Sequence, residues 1–183
     1  FYLFCGNENN KAAVNLHPQT EQKPLTFEER MQLNPHYLKF TDSDLFNKNY
    51  ILAYYGHPKS KTMGIVGRHS KEELAVKLEE QAKAYAVLNP KKGVVPAIYL
   101  IYGTCQPKGN ILRIPKGLLV SYLEFALEKG YLVYLDHQIG RYKPEEALGE
   151  LLPYLKYPNV HLAIDAEWRT NRPMRKIGHV TGE

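Results

Sequence analysis

Four apolar segments set the terms for this chain: YILAYYG (50–56), VVPAIYLIY (94–102), YLVYLDHQ (131–138) and VHLAIDAEW (160–168). Each is short, rich in β-branched and aromatic residues, and apolar at most positions, which is the pattern of a strand covered on both faces. Helical stretches separate them. Ser70 and Glu73 form a capping box ahead of a stripe of Leu74, Leu78, Ala82, Tyr85 and Leu88. A second helix opens at Pro115, carries Leu119, Tyr122, Leu123 and Ala126 on one face, and stops at Gly130. A third starts at Pro144 and runs through Leu148, Leu151, Leu152 and Leu155, with a kink expected at Pro153.

The order βαβαβαβ predicts an α/β fold with a parallel sheet. Four such units make half of a (β/α)8 TIM-barrel-like fold, an incomplete barrel; an open flavodoxin-like parallel sheet is the alternative. Helix-to-strand links such as NPKKG and KG are short, whereas strand-to-helix links such as HPKSKTMGIVGRH and GTCQPKGNILRI are long. Long loops therefore gather at the carboxyl ends of the strands, the edge where parallel α/β folds keep their sites. No G-x-G-x-x-G or Walker A pattern follows the first strand, so a dinucleotide or P-loop function has no support.

That edge is where polar residues accumulate. In VHLAIDAEWR, alternation places His161, Ala163, Asp165 and Glu167 on one face and Leu162, Ile164, Ala166 and Trp168 on the other, with Trp168 expected in the core and stacking on a sugar as its alternative. The third strand brings Asp136 and Gln138 in phase, the first Tyr55 and His57, and the second Tyr102. Arg141 and Arg169 follow the third and fourth strands and are expected either to pair with these acids or to bind an anionic group of a substrate. Unpaired acids near a core are costly, so Asp136, Asp165 and Glu167 on one rim point to a ligand or to catalysis. Glycosidic cleavage needs one carboxyl protonated and another ionised, and clustered carboxylates drive their pKa values apart in that manner. The expectation is Glu167 as general acid, with Asp165 or Asp136 as base, stabiliser or nucleophile. His57, Tyr55, Tyr102, Gln138, Arg141 and Arg169 are the expected substrate-binding residues, for a glycan or small polar ligand. No cofactor is expected. The alternative is a divalent metal on His57, Asp136, Asp165 and Glu167, although no H-x-H or H-E-x-x-H spacing is present. A non-catalytic ligand-binding module is a third class.

The 24 basic and 19 acidic residues give a net charge of +5, but the basic residues are dispersed and form no nucleic-acid footprint. With 183 residues and 44% hydrophobic composition the chain supports one core. No apolar run approaches the roughly 20 residues that cross a bilayer. Residues 1–5, ending at Cys5, resemble the end of a bacterial lipoprotein signal, which implies a lipid-anchored or secreted envelope protein with Cys5 as the lipidated residue. Residues 6–48 are polar and aperiodic and read as a flexible tether, with one short helix at TFEERMQL (26–33); residues 49–183 form the barrel-like domain.

The blocks YYGHP, GVVPAIYLI, YLDHQIGR, YLKYPNVHLAIDAEWR and IGHVTGE resemble, in order, those of a family of functionally uncharacterised secreted bacterial (β/α)-barrel proteins and lipoproteins. The resemblance implies a barrel that continues beyond IGHVTGE. It departs at Ala166, where the family has proline, and at His137, where an apolar residue is common, and it keeps Asp136, Gln138, Arg141, Asp165 and Glu167. Asp165-x-Glu167 is also similar to the close of the D-x-x-D-x-D-x-E motif of family-18 chitinases, with Val160 and Ala163 in place of its other acids.

Overall fold

The structure, a computed structural model, describes residues 24–170. In chain order these form α1 (Phe27–Gln32), α2 (Tyr37–Thr41), α3 (Leu45–Lys48), β1 (Asn49–Gly56), α4 (Lys71–Leu88), β2 (Gly93–Cys105), β3 (Ile111–Arg113), α5 (Lys116–Lys129), β4 (Leu132–Gly140), α6 (Pro144–Leu151) and β5 (Val160–Arg169). Among them no helix is long and apolar enough to cross a membrane.

The strands β1, β2, β4 and β5 lie side by side in that order, all parallel, in a curled half-barrel sheet; β3 folds back antiparallel on the end of β2. The order advances without the reversal that defines a doubly wound sheet, so the flavodoxin-like alternative does not describe these strands. The crossovers pack α4 against β1 and β2, α5 against β2 and β4, and α6 against β4, on one face as expected for sequential parallel connections. The other face is the concave side of the curl.

The expected caps and stops hold where the local chemistry is strong. Ser70 Oγ accepts from Glu73 N at 3.2 Å while Glu73 Oε2 accepts from Ser70 N at 2.9 Å, closing the start of α4. Gly130 ends α5 in the left-handed conformation. Leu74, Leu78, Leu119, Leu123 and Ala126 are buried as predicted. The stripes fail at their far ends: Tyr85 and Leu88 are exposed in the last turn of α4. After Leu151 the chain tightens into a 3-10 turn, Leu152–Tyr154, containing Pro153. The 3.6-residue period is lost there, and Leu152 and Leu155 face solvent.

Part of the expected tether is ordered. Residues 24–48 fold into α1, α2 and α3, whose Met31, Phe40 and Leu45 join the main core. Asn34 Nδ2 donates to Leu127 O at 3.5 Å and Lys39 Nζ to Gly130 O at 3.0 Å, fastening these helices to the end of α5. Each helix is six residues or fewer and buries one large apolar residue, so no period could show in the sequence. The expected helix at TFEERMQL is present as α1, with Thr26 and Glu29 forming its capping box. Residues 6–23, Cys5 and the block IGHVTGE lie outside the described residues.

Candidate functional site

Strand register assembles a row of rings across the concave face. Tyr55 pairs with Tyr99, Tyr99 with Tyr134, and Tyr134 with His161. Ring centroids are 5.4, 5.5 and 5.3 Å apart along the row, and Phe46 meets His161 edge-on at 5.3 Å. Tyr55, at the β1 edge, is 43% exposed. Of these rings only Tyr55 was expected at the site. The others sit in phase with the acids of their own strands, but the register that aligns them is a tertiary fact.

One step toward the carboxyl ends lie the acids. Asp136 follows Tyr134 on the same face and Asp165 follows His161 by two alternations. Asp136 pairs with Ala163 and Gln138 with Asp165, which makes the two aspartates diagonal neighbours. Their Cα atoms are roughly 8 Å apart for a strand spacing of about 4.8 Å and a rise of about 3.3 Å per residue. Asp136 is only 4% exposed, and its Oδ1 has no hydrogen-bond partner among the described residues. Burial, reinforced by the charges of Asp165 and Glu167, pushes its carboxyl up to about 7. Burial and Glu167 also raise Asp165, partly offset by a hydrogen bond from the Glu167 backbone. Glu167 is exposed. The same three acids help burial raise the Tyr55 hydroxyl to about 12.

Other expected residues are placed differently. Tyr102 stands three residues after Tyr99 and so faces the helices, buried, with its ring 5.2 Å from His137 and 6.2 Å from Tyr154. It belongs to a polar cluster that the sequence did not reveal. Glu150 of α6 is bound bidentately by Arg113 of β3 and lies 3.4 Å from His137 Nε2, while His137 Nδ1 meets Gln138 O at 2.8 Å. Arg141 is exposed, its guanidinium 5.8 Å from the Tyr142 ring centre. Arg169 Nη1 donates to the carbonyls of Gly140 and Tyr142 at 3.3 and 2.5 Å. Among the described residues neither arginine forms an ion pair with an acid of the rim.

At the carboxyl ends of the strands opens a cavity of about 560 Å³, walled by the loop after β1, the β2–β3 hairpin and the ends of β4 and β5, with Gln138, two residues beyond Asp136, on its wall. The long second loop expected from sequence is largely that hairpin. Gly64 folds the first loop back on the strand: at φ +79° its missing Cβ would stand 2.1 Å from Tyr55 O. His57 and Gln138 line the cavity, and both also serve the backbone. His57 Nδ1 accepts from Lys59 N at 3.1 Å, and Gln138 Oε1 accepts from Cys105 N at 2.6 Å. Trp168, expected in the core, lines it too. The pairing of β4 with β5 slips between Gln138 and Gly140, whose partners are Asp165 and Arg169, and simple alternation ends there. Cys105 is a buried free thiol on the same wall, raised by burial.

Among the described residues no three His, Cys, Asp or Glu side chains converge as a metal site, and His57 is coupled electrostatically to Lys59 and not to the acids. In comparisons with known proteins, no family model, no curated protein and no solved structure matches this chain, so the functional reading rests on the geometry of the site itself.

Proposed function

We propose that this chain is a glycoside-hydrolase-like enzyme, acting on a glycan or related cell-envelope polymer, built on a (β/α)8-type barrel scaffold. One observation carries the reading: a buried aspartate, with an oxygen that no described residue partners, is pushed up to about 7 by burial and by two further carboxylates at the strand ends. A carboxyl with that pKa holds its proton at working pH and can still release it, which is what a general acid requires. The roles expected from sequence therefore exchange. Asp136 donates its proton to the glycosidic oxygen as the bond from that oxygen to the anomeric carbon breaks. Asp165 or Glu167 either takes a proton from the attacking water or attacks the anomeric carbon itself, in which case water then hydrolyses the glycosyl-enzyme ester. Tyr55 offers an exposed ring beside them for the apolar face of a sugar.

The test is turnover of chito-, cello- and peptidoglycan-derived oligosaccharides labelled at the reducing end. Cleavage is expected for at least one class, with a rate that falls above about pH 7. Asp136→Asn should lower it about 10²- to 10⁴-fold. Cleavage unaffected by that substitution, or binding without cleavage, overturns the reading; the latter would make the chain a non-catalytic envelope module.

A further inference from the structure

We infer that the cavity at the carboxyl ends of the strands is a subsite for one uncharged sugar ring, with Trp168 as its stacking platform; this rests on the glycan reading and names the chemistry of its substrate. The volume of about 560 Å³ falls within the roughly 300–1,000 Å³ of small-molecule sites. Met63, Leu112, Pro115 and Trp168 give it apolar walls. Against those walls stand two neutral donors whose orientation follows from bonds already made. His57 Nδ1 accepts a backbone N–H and therefore carries no proton, so the neutral ring bears its hydrogen on Nε2. Burial and Lys59 hold the imidazole below its usual pKa, which keeps it neutral. Gln138 spends its oxygen on Cys105 N, leaving its NH2 group as donor. Hydroxyl and ring oxygens of a sugar supply the matching acceptors, and the C–H face of a pyranose matches an indole.

Charge narrows the choice further. Of the two cationic side chains on the wall, Arg113 is neutralised by Glu150 and Lys59 is exposed. The neighbouring Asp136, Asp165 and Glu167 would repel an anionic ring, so a uronic acid or a phosphorylated sugar is disfavoured. Connectivity ties the cavity to the chemistry: Gln138 is two residues beyond Asp136 and pairs with Asp165, and Trp168 follows Glu167.

Trp168 is the chain's single tryptophan, so tryptophan emission, excited beyond the tyrosine absorption band, reports on the wall of this cavity. The full chain is titrated with chitotetraose, cellotetraose and mannotetraose, and with tetragalacturonate as the anionic comparison. At least one neutral probe should shift or quench the emission saturably, and tetragalacturonate should not. By calorimetry, Trp168→Ala should weaken that binding about tenfold or more. His57→Asn, which keeps an acceptor for Lys59 N but loses the distal donor, should weaken it by a smaller factor while leaving the fold in place. No response to any neutral probe, a stronger response to tetragalacturonate, or binding unchanged in both variants overturns the inference. Turnover without a fluorescence response would sink the subsite and spare the hydrolase reading; a response without turnover would do the reverse.

Discussion

Replacing Asp136 with Asn should stabilise the protein, by an amount that grows as pH rises from about 4 and is complete above about 7. In the unfolded chain this carboxyl ionises near 3.8, whereas on the concave face it does so near 7. Between those values the folded state holds the proton and the unfolded state does not. Ionisation therefore penalises the fold progressively as pH rises from about 4 to about 7, with no penalty below that range and the full penalty above it. Moving the midpoint from 3.8 to about 7 corresponds to about 4 kcal/mol once ionised. Solvent on the open concave face screens part of this, leaving about 2 kcal/mol. Asn keeps the shape of the protonated acid and cannot ionise. At pH 8 the variant should melt about 4–8 °C above the parent, since about 1 kcal/mol moves a chain of this size by about 2–4 °C. At pH 4 the two should coincide. Paired thermal scans at both pH values decide it: a lower midpoint for the variant at pH 8, or the same difference at both, would refute the argument.

Other substitutions test neighbouring parts. Asp165→Asn and Glu167→Gln relieve like-charge repulsion, so the midpoint at pH 8 should stay level or rise; a steep fall in both would mark them as salt-bridge partners. Glu150→Ala removes the acceptor of Arg113 and of the buried His137 and should cost about 2 kcal/mol in urea denaturation. Gly140→Ala should cost about 1–3 kcal/mol, because the backbone at φ +60° disfavours a side chain and a Cβ would stand 2.4 Å from Gly109 O.

The parallel βα architecture was legible because its signals are local: apolar runs of strand length, the Ser70–Glu73 box, Gly130, and short returns on one side of the sheet. The acids were legible for a related reason, since alternation within one strand places Asp165 with Glu167 and Asp136 with Gln138 without any tertiary knowledge. What failed needed information between strands. The slip between β4 and β5 sent Trp168 to the cavity, and the partner of His137 is Glu150, thirteen residues on and in a helix. The proposal moves the general acid from Glu167 to Asp136 because the two differ in burial, which the chain does not spell out: the first is exposed, the second buried.

The central claim is that Asp136 holds a proton near neutral pH because burial and two acids surround it. Carbon-13 NMR of the labelled carboxyls, with Asp136→Asn to assign the signal, measures this directly. The account predicts a midpoint near 7 for Asp136, falling when Asp165→Asn and Glu167→Gln are combined. A midpoint near 4, unmoved by the double substitution, would contradict it.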